Sequence, residues 1–352
     1  QDKLNGVSPA LVPPLLGWYD QGHRDLPWRT LPTPYRVWIS EIMLQQTRVE
    51  AVRGYFDCWM DALPDIRALA EAEESVYMKL WEGLGYYSRV RNLHRAAVVL
   101  CQEYGGQLPA DYDKLLSLPG IGEYTAGAIA SIAYGIPVPA VDGNVLRVAA
   151  RLDNDFTPIT DVKYKKQTRE RFAAWMPADR PGDLNQALME LGATVCLPNG
   201  TPRCGDCPLQ HLCLGYHHGN ASSLPLRAAK KARRIENRTV LLVRCGTLVG
   251  LRQRPSTGLL AGLWELPSLD GHLSPEETRR ALAGLGWQLR RMLSLRPAKH
   301  IFTHVEWHMN GYYVELDNQP EALTFVSPPA LRAAYALPSA FRAFLNVIEE
   351  EL

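Results

Sequence analysis

Two carboxylic acids lie in contrasting surroundings. Glu41 falls inside the otherwise apolar helical stretch 37–44, where lost solvation should raise its pKa towards the value that a general acid needs at neutral pH. Asp142 follows two prolines and precedes a new helix, where its carboxylate can accept backbone N–H bonds and stay ionised. One protonated and one ionised acid is the pair that glycosidic-bond cleavage uses. A surface acid at Glu41 and a plain helix cap at Asp142 are the simpler alternatives.

Four of the seven cysteines lie close together with the spacing C-x7-C-x2-C-x5-C: Cys196, Cys204, Cys207 and Cys213. A disulfide framework is a poor interpretation for a long chain of intracellular type. Four thiolates suit a tetrahedral structural zinc site, and four closely spaced cysteines also suit an iron–sulfur cluster. The spacing therefore predicts a metal site and leaves iron–sulfur and zinc open.

A glycine-containing turn at residues 118–122 separates a helical segment from the apolar helix that begins near Tyr124. Gly120 and Gly122 leave backbone N–H groups uncovered beside a helix N-terminus, an arrangement that can hold a phosphate. A plain helix–helix turn explains the same residues. Nearby arginines could contact phosphates or form a solvated basic face: Arg48, Arg53, Arg89, Arg91 and Arg95.

Helical periodicity, with apolar residues three and four apart, runs from Ser8 to about Leu214 and must position all of these groups. We predict an all-α catalytic domain over residues 1–216, including the cysteine loop. A polar and then basic stretch over 217–238 predicts a linker. Strand-like and helical patterns then alternate over 239–352, which indicates a small α+β domain.

Composition excludes several classes of protein. The chain has 352 residues, 46% hydrophobic content and 38 basic against 37 acidic side chains, values typical of a globular protein of two domains. The neutral total hides an uneven distribution, because residues 1–220 carry 21 basic and 25 acidic groups. Neither a membrane span nor a secretory signal is evident. We expect a monomer in the cytoplasm, associated with the nucleoid in a bacterium.

Together, the turn at 118–122, the segment 141–144 and the four-cysteine loop resemble the helix-hairpin-helix DNA glycosylase superfamily with a 4Fe-4S cluster. Within it, residues 38–47 (WISEIMLQQT) and 81–89 (WEGLGYYSR) look like the adenine DNA glycosylase (MutY) family. The resemblance covers most of the chain. It implies excision of adenine mispaired with 8-oxoguanine or guanine in double-stranded DNA, and it favours the 4Fe-4S cluster over zinc. The first cysteine interval is one residue longer than is usual in the family.

The resemblance implies a role for each matching residue. Glu41 would protonate adenine N7, and Asp142 would stabilise the oxocarbenium-like sugar by charge or through a transient covalent bond. Tyr124 and Asn144 would orient these two acids. Tyr124 occupies the position at which related bifunctional enzymes such as endonuclease III carry a Schiff-base lysine, so we predict a monofunctional glycosylase.

Further positions match the family's contacts with adenine and DNA. Gln46 and Tyr86 would wedge into the base stack while adenine is flipped out, and Gly120 and Gly122 would hold a backbone phosphate. The remaining predicted contacts lie in the adenine pocket (Arg24, Leu26, Trp28, Arg29) and along the DNA (Thr47, Arg48, Arg89, Arg91).

Residues 239–352 resemble the family's Nudix-like module for recognition of 8-oxoguanine. Its recognition loop matches Phe302, Thr303 and His304, with Thr in place of the family's Ser. Glu276 and Glu277 lack the second acidic cluster that a Nudix hydrolase needs for Mg²⁺, so we predict a binding module. The rival functions are a bifunctional glycosylase/lyase of the thymine-glycol type, opposed by Tyr124 and Glu41, and a catalytically silent DNA-binding scaffold, opposed by Glu41 and Asp142.

Overall fold

The computed structural model describes residues 7–227 and 232–349, which form two compact units. Unit 1 comprises residues 7–71 and 92–227, and unit 2 comprises residues 72–91 and 232–349. Sequence patterns did not assign residues 72–91 to the C-terminal unit. The predicted limits 1–216, 217–238 and 239–352 stay predictions.

Unit 1 is built from helices. Between residues 12 and 217 the helices are α1 (Val12–Gly22), α2 (Pro27–Thr30), α3 (Pro34–Leu44), α4 (Val49–Ala62), α5 (Ile66–Glu71), α6 (Glu74–Leu80), α7 (Ser88–Glu103), α8 (Tyr112–Leu116), α9 (Glu123–Ala128), α10 (Gly143–Asp153), α11 (Val162–Ala173), α12 (Pro181–Thr194) and α13 (Leu214–His217). Helix α6 lies in unit 2, and α7 is divided between the units. A π-helical turn, Ile129–Ala133, continues α9.

The sequence marks where several of these helices begin. Proline occupies the first position of α2, α3 and α12, where its missing N–H costs nothing and its fixed φ suits the helix. Asp142 and Asp161 cap α10 and α11 by accepting a backbone N–H from the first turn. The starts of α2, α3 and α10, which carry or adjoin predicted site residues, are therefore set locally.

The core of unit 1 joins α1, α10 and α12 to the cysteine loop, through buried side chains that include Leu15, Val148, Leu188 and Cys213. Helices α10 and α12 approach very closely at Gly192, where an added Cβ would lie 2.7 Å from the Cβ of Asn144. This close approach requires glycine, and it brings α12 against the first turn after Asp142.

Unit 2 contains a mixed sheet of seven strands: β1 (Arg234–Cys245), β2 (Leu248–Gln253), β3 (Trp264–Glu265), β4 (Ser268–Asp270), β5 (Leu289–Ile301), β6 (Val305–Leu316) and β7 (Thr324–Val326). The strand order is β3-β2-β1-β6-β5, while β4 pairs with β1 and β7 with β2. Strands β1 and β6 run parallel, and β5 and β6 form an antiparallel hairpin. The predicted recognition loop is the connection of that hairpin.

Both faces of the sheet are covered. Along β1, Val240 and Leu242 point to one apolar cluster, whereas Leu241 and Val243 point to another, as the alternation of a strand requires. The helices α14 (Pro275–Gly284), α15 (Pro328–Ala334) and α16 (Arg342–Glu349) complete the unit. The predicted fold class, an all-α domain followed by an α+β domain, is confirmed.

Residues 72–91 are bonded to the rest of unit 2 by polar contacts. The Lys79 Nζ donates to the Tyr335 carbonyl at 3.2 Å, and the Leu337 N–H donates to the Glu82 carboxylate at 2.8 Å. Arg91 Nη2 donates to the Ala261 carbonyl at 2.6 Å.

Within residues 7–227 and 232–349, no helix has the length and apolar character needed to cross a membrane.

Candidate active site

Glu41 is buried on α3, with 5% of its surface exposed. Burial raises the pKa of its carboxyl to about 7, opposed by the hydroxyl of Tyr124 and by the nearby charge of Arg29. The Tyr124 hydroxyl donates to Glu41 Oε2, and burial keeps the pKa of Tyr124 well above its ordinary value. Near neutral pH a large fraction of Glu41 is therefore protonated, as a general acid must be.

Asp142 is held on both of its carboxylate oxygens. Its Oδ1 accepts the Val145 N–H and its Oδ2 accepts the Asn144 side-chain amide, each at 2.8 Å. Burial raises the pKa of Asp142, while these bonds and the charge of Arg147 lower it. The carboxylate caps α10, the position predicted for it, and it is partly buried there.

A chain of hydrogen bonds links Asp142 to the cysteine loop. The side-chain oxygen Oδ1 of Asn144 accepts from Arg147 Nη2 at 2.8 Å. The same guanidinium donates to the carbonyl of Gly192 at 2.6 Å and, through Nε, to that of Cys196 at 2.9 Å. The orientation of Asn144, and through it of Asp142, is therefore coupled to the backbone at the first loop cysteine.

One cavity of about 1460 Å³ in unit 1 brings most of the predicted site together. The catalytic candidates Glu41, Tyr124, Asp142 and Asn144 all line it. It is also lined by the predicted pocket residues Arg24, Leu26, Trp28 and Arg29, by the predicted DNA contacts Gln46, Thr47 and Arg48, and by Gly122. Residues separated by more than a hundred positions thus face a single space large enough for a flipped base.

Both predicted wedge residues have unusual backbone conformations. Gln46 has φ 59° and Tyr86 has φ 47°, in the left-handed region that non-glycine residues seldom occupy. Only two other non-glycine residues in the described part of the chain share this feature, Asn154 and Leu260. Strain of this kind concentrates at functional sites.

Two of the predicted contact residues of unit 2, Tyr86 and Thr303, lie within hydrogen-bonding distance of each other. The Tyr86 hydroxyl is 2.6 Å from Thr303 Oγ1, and Phe302 packs edge-on against Trp307, while His304 is exposed. Arg89 lies over the Trp81 ring, 5.1 Å from its centroid. Arg91 pairs with Glu74 and Ala261. Both guanidinium groups thus have partners within unit 2, and their predicted contacts with DNA stay predictions.

The turn at 118–122 has the geometry that its glycines suggest. Gly120 has φ +74°, and an added Cβ would lie 2.5 Å from the Cβ of Asn92. Gly122 is the N-cap of α9, and a Cβ there would meet nothing within 4 Å. Close packing therefore demands glycine at 120, whereas at 122 the glycine leaves the backbone open.

The four loop cysteines share one small cavity in unit 1. Cys213 is buried, and the Cys196 and Cys207 side chains pack against the same core. Arg151 Nη1 lies 3.2 Å from Cys196 Sγ, so a fixed positive charge adjoins the thiol that begins the loop. In the described residues, no group of three His, Cys, Asp or Glu side chains is arranged to hold a metal ion.

Sequence reasoning missed a set of residues on α12. Gln186 and Met189 line the large cavity, and Tyr124 contacts the Met189 sulfur at 3.4 Å. Buried Glu190 bonds Arg24 and Arg29. The signal was available, because Glu190 is an acid within an apolar helical stretch just as Glu41 is.

Comparison with known proteins gives matches in both parts of the chain. A family model described as "HhH-GPD superfamily base excision DNA repair protein" matches residues 39–178, and a NUDIX domain model matches residues 239–347. The chain is 38% identical to an adenine DNA glycosylase of Mus musculus, over 90% of this chain and 72% of that protein. It is 36% identical to the Homo sapiens adenine DNA glycosylase, over 90% and 69%. A solved thermostable thymine-DNA glycosylase matches with a TM-score of 0.53 and 28% identity, covering 59% of this chain and 96% of that one.

Proposed function

Because this chain belongs to the adenine DNA glycosylase family, we propose that it excises adenine mispaired with 8-oxoguanine or guanine from double-stranded DNA. The observation that carries the proposal is the placement of Glu41, Tyr124 and Asp142 around one cavity. A duplex hides the glycosidic bond, so the adenine must be flipped into that cavity, at a cost of a few kcal/mol.

The residues divide the chemistry between them. Protonated Glu41 gives its proton to adenine N7, and the bond between C1′ and N9 breaks as its electron pair passes to the base, which leaves neutral. Asp142 faces the positive charge that develops at C1′ and stabilises it. Water then adds to C1′ and gives its proton to the Glu41 carboxylate left by the first step, which restores the acid. Tyr124 and Asn144 hold the two acids through the hydrogen bonds described above.

The same geometry favours hydrolysis without strand cleavage. A lyase of this superfamily needs an amine that attacks C1′, and Tyr124 offers a hydroxyl that is occupied by Glu41. The tyrosine cannot form an imine. We therefore propose a monofunctional enzyme whose product is an intact strand with an abasic site.

A single-turnover assay on three duplexes tests the function. We expect release of adenine from A:8-oxoguanine and A:G pairs, an intact A:T duplex, and strand breakage only after treatment with alkali. Borohydride should trap no more covalent protein–DNA complex than it does with a control protein that lacks a lyase amine. Strand scission before alkali, or trapping as efficient as that of a lyase, would show a bifunctional enzyme.

Recognition of 8-oxoguanine is proposed for the loop of Phe302, Thr303 and His304. The hydrogen bond between Thr303 and the wedge residue Tyr86 supports this proposal. The residue that would enter the base stack and the residue that would read the opposite base are thus held together within unit 2. The threonine keeps the hydroxyl of the family's serine.

Replacing Thr303 with Val should reduce the preference for A:8-oxoguanine over A:G about fivefold, since it removes one hydrogen bond worth about 1 kcal/mol and keeps the side-chain shape. The ratio of single-turnover rates on the two duplexes measures this preference. Thr303→Ser is the matched control and should stay within about twofold of the parent. An unchanged ratio in the Val variant would remove the hydroxyl from the recognition mechanism.

We propose that Cys196, Cys204, Cys207 and Cys213 hold the 4Fe-4S cluster implied by the family, with zinc as the less favoured alternative. The fit rests on the cavity that all four line, because a cluster fills the space between four separated sulfur atoms while a single ion draws them to about 2.3 Å from one point. Arg151 adds a positive charge beside Cys196. When bound, the cluster would hold the loop folded.

Protein purified under exclusion of oxygen should contain iron and acid-labile sulfide in equal amounts and show a visible thiolate-to-iron absorption band. Cys204→Ser should lose the band, because one ligand is removed. Cys58→Ser, outside the loop, should keep it. Stoichiometric zinc without iron would instead support the tetrahedral zinc site.

A further inference from the structure

Glu190 forms a buried anionic clamp on two arginines of the cavity. Its side chain is 2% exposed. One carboxylate oxygen accepts the Arg24 backbone N–H at 3.0 Å and Arg24 Nε at 2.8 Å. The other accepts Arg24 Nη2 at 2.9 Å and Arg29 Nη2 at 2.8 Å. Both oxygens are therefore committed to the two guanidinium groups.

The clamp acts on a segment with little structure of its own. Helix α2, which carries Arg29, has only four residues and no side-chain cap. Arg29 Nη1 also donates to the Arg24 carbonyl at 3.0 Å, so fixing Arg24 helps to fix Arg29. The support comes from α12, a helix of 14 residues, which holds Arg24 and Arg29 through Glu190.

The two arginines that Glu190 holds lie around the same space as the proposed general acid. Arg24, Arg29 and Glu41 line the same cavity, whereas Glu190 is absent from its lining. Arg29 is the cation whose charge acts on Glu41. Glu190 thus stands behind the pocket, out of reach of a bound base, and can influence the reaction only through the groups that it holds.

We propose that Glu190 is a positioning residue that sets Arg29 against the flipped adenine and Glu41, and so determines the rate of excision without contributing to duplex binding. The proposal rests on the adenine excision proposed above. A misplacement of about 1 Å in a group that orients a substrate is enough to slow a reaction about a hundredfold. Binding to the duplex depends on phosphate contacts elsewhere.

The test compares Glu190→Gln, Arg29→Met and the double variant in single-turnover titrations on the A:8-oxoguanine duplex. Glu190→Gln should lower the maximal rate about a hundredfold, while the half-saturating enzyme concentration stays within about threefold of the parent. Because Glu190 acts through Arg29, the double variant should match Arg29→Met within about threefold and should not show the product of both losses.

Thermal unfolding separates positioning from simple stabilisation. Glu190→Gln should lower Tm, since it leaves Arg29, whose side chain is only 12% exposed, without its counter-ion. The double variant should regain most of that loss of Tm while its rate stays low. Asp20→Asn is the matched control, because it also removes an ion pair between α1 and the start of α12 but lies outside the cavity lining. Its rate should stay within about twofold of the parent.

Several results would overturn the proposal. A folded Glu190→Gln variant with the parental rate would do so, as would independent losses that multiply in the double variant. If Glu190→Gln does not fold, Glu190→Asp is measured instead. It keeps the charge but withdraws the carboxylate by one methylene group from Arg24 and Arg29, and a parental rate in that variant would refute the clamp. A parent protein that releases no adenine would instead refute the proposed function.

Discussion

Glu41→Gln should reduce the maximal rate of adenine release about a thousandfold, the central effect of removing a general acid. Glutamine can still accept the Tyr124 hydroxyl through its carbonyl oxygen, so the geometry of the pair survives while the transferable proton is lost. The rate is measured in a single turnover with enzyme in excess, where product release does not contribute. A rate within tenfold of the parent would show that another group protonates the base.

The pH dependence gives an independent check on Glu41. Only the protonated acid is active and its pKa lies at about 7, so the parental rate should fall as pH rises above 7. The residual rate of the Gln variant should lack that fall.

The thermal stability of the Glu41→Gln variant shows whether the substitution has damaged the fold. The pKa of Glu41 is raised above its value of 4.5 in the unfolded chain, so the stabilisation from its protonated form is complete below pH 4.5 and is lost as pH rises through about 7. At pH 8 the Gln variant should therefore unfold at a Tm no lower than that of the parent.

Asp142→Asn should reduce the rate by a similar factor, about a thousandfold, because the charge that faces the developing cation is removed. Asparagine caps helices as well as aspartate does, so it can keep the bond from the Val145 N–H and preserve the start of α10. The loss should appear in the maximal rate, with duplex binding little changed.

Asp161→Asn is the matched control for the Asp142 variant. Asp161 caps α11 by accepting the Tyr164 N–H at 2.9 Å, just as Asp142 caps α10, but it does not line the cavity. Its rate should stay within about twofold of the parent. A similar loss in both variants would mean that helix capping, and not charge at the sugar, explains the effect of Asp142→Asn.

Unit 2 is made of two separate chain segments, and this limits how a C-terminal deletion can be interpreted. Residues 72–91 lie far before the linker predicted at 217–238, yet they bond to Ala261, Tyr335 and Leu337. Removing the chain after the linker would leave those partners missing. A change in activity after such a deletion would therefore report more than the loss of the recognition loop.

Much of the site could be predicted from local sequence. Glu41 was found because an acid within an apolar helix loses solvation wherever that helix packs. Asp142 was found because an acid just before a helix caps it, and the glycines of 118–122 were found because tight turns demand them. Each of these inferences depends on neighbours within a few residues, and the structure reproduces that local geometry.

Other features depend on contacts that local sequence does not encode. Glu190 carries the same local signal as Glu41, but only the structure shows that it faces Arg24 and Arg29 behind the pocket while Glu41 faces into it. The same holds for Asp142, since burial raises its pKa although a capping position is usually exposed.

Local sequence is enough to identify the groups that can do chemistry here: two acids, a tyrosine in place of an amine and four clustered thiols, together with one helix-forming and one strand-forming region. These follow from residue type and short-range periodicity, which act over a few residues of chain. The tertiary fold alone shows which groups share a cavity, which arginines are already paired, and that residues 72–91 belong to the C-terminal unit. Those outcomes depend on packing between segments tens to hundreds of residues apart, where small differences in burial and charge select the partner.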